Sequence, residues 1–106
     1  MLSWIRNLPE NLKNLLAEGI EIKGTVIKSE QTLMNDRFPA TKFIVRHQTT
    51  NNLYGCVDFR HPEILVGQQV TVFLHFTGRF PPLPPETFQD PLTNTSHSIT
   101  FLEVDY

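Results

Sequence analysis

The sequence contains little that would tie it to the cell surface or to a membrane. A single cysteine, Cys56, occurs in 106 residues, so no internal disulfide can form and a reducing compartment is the simpler expectation. The first residues lack the basic segment, long apolar run and cleavage site of a signal peptide. No apolar run approaches the roughly 18 residues of a membrane-spanning helix. These absences predict a cytoplasmic protein without a transmembrane segment.

Charge is also sparse and unevenly distributed. Charged residues make up 19% of the chain, and the net charge is −2. Basic side chains are concentrated in residues 20–60, whereas acidic ones dominate residues 61–106. A strong binder of polyanions would normally be more basic overall, so the composition favours other partners.

Groupings typical of catalytic or metal sites are missing as well. The four histidines are scattered without the close pairing of a zinc site, and no glycine-rich phosphate loop occurs. Cys56 falls within a predicted strand and not at a helix N-terminus that would lower its pKa, so a core thiol is expected. We therefore predict a non-enzymatic protein with no metal and no cofactor.

Hydrophobic periodicity predicts one helix, within an N-terminal segment 1–19. Pro9 suits the first helical turn, and Gly19 supplies the left-handed position after the last. The helix is expected at about Pro9–Glu18, with one apolar stripe formed by Leu8, Leu12, Leu15 and Leu16. That stripe could bind a membrane surface or close one end of a barrel. The barrel is favoured because the segment lacks a polar face rich in Lys and Arg.

After Gly19 the apolar period changes to two, which predicts strands. They are expected at Ile20–Ile27, Thr41–His47, Leu53–Phe59, Val70–Thr77 and Ser98–Tyr106. Gly24 inside the first strand suggests a bulge or bend. The predicted connections are a long segment Ser29–Ala40 with a turn at Asn35-Asp36, a hairpin turn Thr49–Asn52, a helical turn His61–Leu65, and a proline-rich loop Gly78–His97.

This order of elements resembles the OB-fold, the five-stranded barrel that binds oligonucleotides and oligosaccharides. The likeness rests on Ile20–Ile27 with Gly24, Thr41–Phe59, His61–Leu65, Gly67–Val72 and Ser98–Val104. We therefore expect a single domain 1–106 of the mainly β class. It would be a small five-stranded OB-like barrel, residues 20–106, preceded by one amphipathic N-terminal helix. The resemblance implies a ligand face across the second and third strands.

The proline-rich loop favours a protein partner. Residues 79–85 contain Arg-x-x-Pro-x-x-Pro, similar to the polyproline ligands of SH3 domains. We predict a non-catalytic protein-binding module, and one concrete form is an inhibitor or immunity-type protein that masks a basic surface. Its expected binding residues combine one arginine, apolar anchors and acidic side chains: Arg79, Phe80, Leu83, Glu86, Phe88, Asp90, Glu103 and Asp105.

Two alternatives remain open at this point. A single-stranded nucleic acid could bind through Lys42, Arg46 and Arg60 to its phosphates, with Tyr54 stacking on a base, provided that these side chains share one face. A peripheral membrane domain could instead be held by residues 1–16. The sequence names neither the partner nor the oligomeric state, although exposed strand edges could pair into a dimer.

Overall fold

Seven strands make up the part of the chain that the structure, a computed structural model, describes: residues 19–74 and 85–104. They are β1 Ile20–Met34, β2 Phe38–His47, β3 Leu53–Asp58, β4 Gln69–Leu74, β5 Glu86–Asp90, β6 Thr95–Ile99 and β7 Phe101–Glu103. Five form one sheet in the order β4-β1-β2-β3-β7, in which only the β3–β7 pair is parallel. β5 and β6 form a separate antiparallel hairpin. One isolated bridge, Leu74 to Val104, joins the two edges of the main sheet, which is curled into a half-barrel.

The mainly β content is confirmed, but the predicted fold class is wrong. A curled half-barrel with an additional two-stranded sheet replaces the expected five-stranded barrel. Residues 19–74 and 85–104 contain no helix, and the predicted helix Pro9–Glu18 lies outside them. Nor does that part of the chain hold a helix that could cross a membrane.

The helical turn predicted at His61–Leu65 is wrong as well. Two carbonyl oxygens of this segment accept hydrogen bonds from side chains of the main sheet, and the Leu65 oxygen accepts from the Gln68 amide at 3.1 Å. Thr41 Oγ1 donates to the Pro62 oxygen at 2.6 Å, and Ser29 Oγ donates to the Ile64 oxygen at 2.7 Å. The segment is therefore held open across the end of the sheet, where the Ile64 side chain packs against the core.

Apolar packing is found on both faces of the main sheet. The core inside the curl draws on all five strands: Ile22, Val26, Phe43, Val45, Tyr54, Cys56, Val72, Leu74, Leu102 and Val104. A second core lies between the outer face and the β5–β6 hairpin: Met34, Ala40, Ile44, Val57, Ile99 and Phe101. β6 pairs with β5 and β7 pairs with β3, so the chain passes from one sheet to the other at Thr100. That change splits the single last strand that the sequence predicted.

β1 and β2 form a long hairpin where the sequence predicted a loop at Ser29–Ala40. The predicted turn is confirmed: Asn35 and Asp36 have φ values of 53° and 57°, and the Arg37 amide donates to the Met34 oxygen at 3.1 Å. Most of the remaining segment is paired strand, in a register that runs to Met34 opposite Phe38. The distal part of this hairpin, residues 29–40, is called the arm below.

The irregularity predicted at Gly24 lies three residues further along. The register of β1 against β2 shifts between Val26 and Lys28, so Ile27 is the additional, bulged residue. Gly24 has another role, because a Cβ placed there would overlap the carbonyl oxygen of Arg46. The missing side chain thus allows β1 to approach the β2 backbone closely where the sheet curls.

Candidate strand-binding site

The basic residues predicted on the second strand do share a face, and the β5–β6 hairpin covers it. Arg46 forms two bonds to Asp90, from Nη1 to Oδ2 at 2.9 Å and from Nη2 to Oδ1 at 2.6 Å. Lys42 Nζ bonds to Glu86 and lies 3.5 Å from Glu30 Oε1. The Lys42 and Arg46 side chains are only 11% and 13% exposed. Their charges are therefore largely neutralised inside the fold.

The other two residues of the nucleic-acid hypothesis lie elsewhere. Tyr54 pairs with Val45 and points into the core inside the curl, on the opposite face from Lys42 and Arg46. Arg60 is exposed and bonds to Asp58 through Nε at 3.1 Å and Nη2 at 2.8 Å. The structure therefore does not bring the four side chains together. The OB-fold resemblance implied a ligand face across β2 and β3. One face of these strands lines the core inside the curl, and the other lies beneath the β5–β6 hairpin.

Several acidic and apolar residues expected to contact a partner point inward. Glu86 and Asp90 are the partners of Lys42 and Arg46, and Lys28 Nζ lies 5.9 Å from the ring centroid of Phe88. The hydrogen bonds from Arg46 hold the pKa of Asp90 well below its usual value, and the Leu92 amide adds a bond of 2.9 Å. Glu103 lies half-buried on β7. The remaining predicted residues, Arg79, Phe80, Leu83 and Asp105, lie outside the described residues.

The thiol considered for catalysis is buried. Cys56 is 0% exposed within the core, and burial, with a smaller contribution from the charge of Asp58, raises its pKa far above the usual value. Within residues 19–74 and 85–104, no three His, Cys, Asp or Glu side chains are grouped so that they could hold a metal ion. Cys56 is therefore not accessible to a substrate, and its sulfur is held as the protonated thiol.

The edge of β1 along the arm lies open. β4 pairs with β1 only from Ile20 to Thr25, and two further bonds continue this side at Val26. The Val26 amide donates to the Gln68 oxygen at 2.9 Å, and the Gly67 amide donates to the Val26 oxygen at 2.8 Å. Beyond them, no backbone group in the described part of the chain bonds to this edge from Ser29 to Leu33. These five residues are called the free edge below.

The bulge determines which backbone groups of the free edge point outward. In antiparallel pairing, outward and inward groups alternate along a strand. The bonds of Val26 to Gln68 and Gly67 show that its groups point away from β2, and the additional Ile27 shifts the alternation by one residue. Outward groups then fall on Ser29, Gln31 and Leu33.

The residue opposite Leu33 supports this assignment. Leu33 pairs with Pro39, which has no amide proton and so cannot form a full hydrogen-bonded pair. A proline is tolerated at a position where its nitrogen points away from the partner strand. The outward groups of Leu33 are therefore compatible with its neighbour on β2.

Apolar side chains stand beside the free edge. Leu33 is 58% exposed and Phe38 is 43% exposed, at the end of the arm. A shallow open depression of about 590 Å³ adjoins them, lined by Gln31, Thr32, Leu33, Asp36, Pro39 and His61. Backbone groups, an exposed leucine and a mixed polar depression together resemble a surface for an extended chain, which supplies both main-chain groups and alternating side chains.

Sequence reasoning missed this site because Ser29–Ala40 was interpreted as a connection. One signal was available: Asn35-Asp36 between two segments containing Thr, Leu, Met and Phe is a hairpin pattern. Comparison with known proteins gives no further guidance, since no family model, no curated protein and no solved structure matches the chain.

Proposed function

We propose that this chain is a non-catalytic protein-binding module that adds an extended segment of a partner polypeptide to the free edge. The observation that carries the proposal is the set of outward backbone groups at Ser29, Gln31 and Leu33. In strand addition, main-chain hydrogen bonds supply affinity, and contacts to alternate side chains supply specificity. Leu33 and the adjoining depression would supply those side-chain contacts.

A polypeptide is a better ligand for this edge than a nucleic acid. The available groups are amides and carbonyls spaced along a strand, which another strand matches residue by residue. The cationic side chains that phosphates would need on β2, Lys42 and Arg46, already bond to carboxylates of the β5–β6 hairpin. A protein partner would use backbone groups to which no described residue bonds.

The proposal is tested by selecting peptides of about eight residues, a typical strand length, from a random library. Hydrogen exchange then locates the bound peptide on the protein. We expect slower exchange at the amides of Gln31 and Leu33 in the complex. The substitution Gln31→Pro removes one outward donor from an edge position where proline is tolerated, and should weaken binding roughly tenfold.

Gln31→Val is the matched control. It also removes the side-chain bond from Gln31 Nε2 to the Pro62 oxygen, at 3.1 Å, but it keeps the backbone amide. Val should therefore retain binding where Pro loses it. Selected peptides that protect other residues, or that bind the Gln31→Pro protein equally well, would show that the free edge is not the binding site.

A further inference from the structure

The free edge lacks the features that usually prevent a strand from pairing with its own copies. Natural edge strands carry lysines, prolines or bulges, or are very short. From Ser29 to Leu33 the only charged residue is Glu30, whose carboxylate lies 3.5 Å from Lys42 Nζ. The bulge at Ile27 lies before the open stretch, not within it. The β2 side of the arm, in contrast, carries Pro39.

We infer that the strand that occupies the free edge is the same strand of a second copy, in antiparallel orientation, with the two-fold axis passing beside Gln31. This inference depends on the strand-addition function proposed above and specifies the partner. An isologous contact needs a surface that is complementary to itself. With Gln31 opposite Gln31 of the second copy, Ser29 of each copy lies opposite Leu33 of the other.

This register joins only outward groups. Each outward pair in an antiparallel ladder exchanges two hydrogen bonds, so the three pairs give about six bonds across the interface. Leu33, which is 58% exposed in the single chain, would pack beside the small Ser29 side chain of the second copy. The exposed apolar side chain is thus partly covered by the same contact that pairs the backbones.

Neighbouring registers are less favourable. A register centred on Glu30 would place two carboxylates directly opposite each other, which is destabilising. A register centred on Ser29 would bring the second copy against Gly67 and Gln68, which already occupy the edge at Val26. One centred on Thr32 would extend into the turn at Asn35 and lose an outward pair. The Gln31 register uses the whole free edge.

The first test is the solution mass of the full chain by analytical ultracentrifugation over a range of concentrations. We expect the protein to reach twice its 12.2 kDa chain mass. The Gln31→Pro protein should remain at the single-chain mass, and Gln31→Val should still dimerise. Circular dichroism checks that each variant is folded. A wild-type protein that stays monomeric, or a dimer that persists in Gln31→Pro, would overturn the inference.

A second test does not require that the fold tolerates proline at position 31. Hydrogen-bonded antiparallel partners lie about 5.5 Å apart at Cα, within the range that a disulfide spans. Gln31→Cys should therefore cross-link the dimer under mild oxidation, whereas Leu33→Cys, equally close to the edge but not opposite itself, should cross-link much more slowly. Cys56 does not interfere because it is 0% exposed. Equal cross-linking rates would contradict the register.

The two proposals fail in different ways. If the protein is monomeric and selected peptides still protect Gln31 and Leu33 from exchange, the second copy is excluded and the strand-addition function stands. If peptide binding and self-association are both unaffected by Gln31→Pro, the free edge serves neither purpose and both proposals fall.

Discussion

Gly24→Ala should destabilise the protein more than a single methyl group normally would. The added Cβ would overlap the carbonyl oxygen of Arg46, and would also lie 2.8 Å from its carbonyl carbon and 2.9 Å from Val45 Cγ1. The two Arg46 atoms belong to the backbone of the β1–β2 ladder, where Thr25 pairs with Arg46, so they cannot move without breaking strand pairing.

The size of the effect follows from two opposing contributions. Overpacking a well-packed interior costs about 1–3 kcal/mol, and the upper end applies here because the nearest two atoms, Arg46 O and C, are backbone. Replacing glycine by alanine also restricts the unfolded chain, which returns about 0.4–1 kcal/mol. We therefore expect a net loss of about 2 kcal/mol in the free energy of unfolding. With an m-value of about 1–3 kcal/mol/M in urea, the unfolding midpoint should fall by roughly 1 M.

Gly67 provides the control, because a side chain is disfavoured at this position for a different reason. Its φ is 94°, and no atom lies within 4 Å of an added Cβ, so the cost of Gly67→Ala is conformational and about 1–2 kcal/mol. Asparagine tolerates positive φ, so Gly67→Asn should recover part of that loss. Gly24→Asn should recover nothing, because the obstacle there is steric. The reasoning is refuted if Gly24→Ala unfolds within about 0.5 kcal/mol of wild type, the range of an ordinary surface substitution.

Three further outcomes are expected. Because Arg46 lowers the pKa of Asp90, the ion pair stabilises the fold fully above the ordinary pKa of an aspartate. This stabilisation declines as the pH falls below that value and is lost below the folded pKa. Urea midpoints measured between acid and neutral pH should therefore fall less in an Asp90→Asn protein than in the wild type. Cys56 should resist alkylation in the native protein and react only on unfolding. Mass spectrometry measures the labelling, and rapid labelling of the native protein would contradict the burial of Cys56. Ile99→Ala should cost about 2–5 kcal/mol by removing a contact beneath the β5–β6 hairpin, while Leu92→Ala, 69% exposed, should change urea stability by less than about 0.5 kcal/mol.

Strands with one apolar face were readily predicted from the sequence. β4 alternates as expected: Val72 and Leu74 are buried in the core, and Thr71 and Phe73 are exposed. β3, in contrast, is buried on both faces from Tyr54 to Asp58. The distal part of β1 was missed because the bulge at Ile27 interrupts the alternation. Beyond it, the side chains of Ser29 and Gln31 are not covered by apolar packing but bond to the carbonyl oxygens of Ile64 and Pro62, contacts between residues more than 30 positions apart. Local periodicity does not carry that information.

The β5–β6 hairpin escaped prediction for a related reason. In β5 the inward residues alternate with exposed ones, but two of the inward residues, Glu86 and Asp90, are acidic. Acidic residues at these positions are typical of a solvent-exposed loop. These two turn toward the main sheet because Lys42 and Arg46, 44 positions earlier, bond to them across the outer face, and Asp90 is thereby buried. The placement of Tyr54 depended likewise on register, since the pairing of β2 with β3 decides which face each side chain joins.

The pairing of Lys42 and Arg46 with carboxylates of the β5–β6 hairpin affects which ligands this molecule can bind. A buried ion pair fixes geometry because either member alone would be an uncompensated buried charge, so Arg46 and Asp90 hold the hairpin in one position over β2. With those cations neutralised, the outer face of the sheet offers little to a polyanion. Among the described residues, no strand pairs with the β1 edge from Ser29 to Leu33, where backbone groups lie beside one exposed leucine and polar side chains. A ligand that matches such groups must itself present backbone in an extended conformation, which is why a strand, and not a charged polymer, is the expected partner.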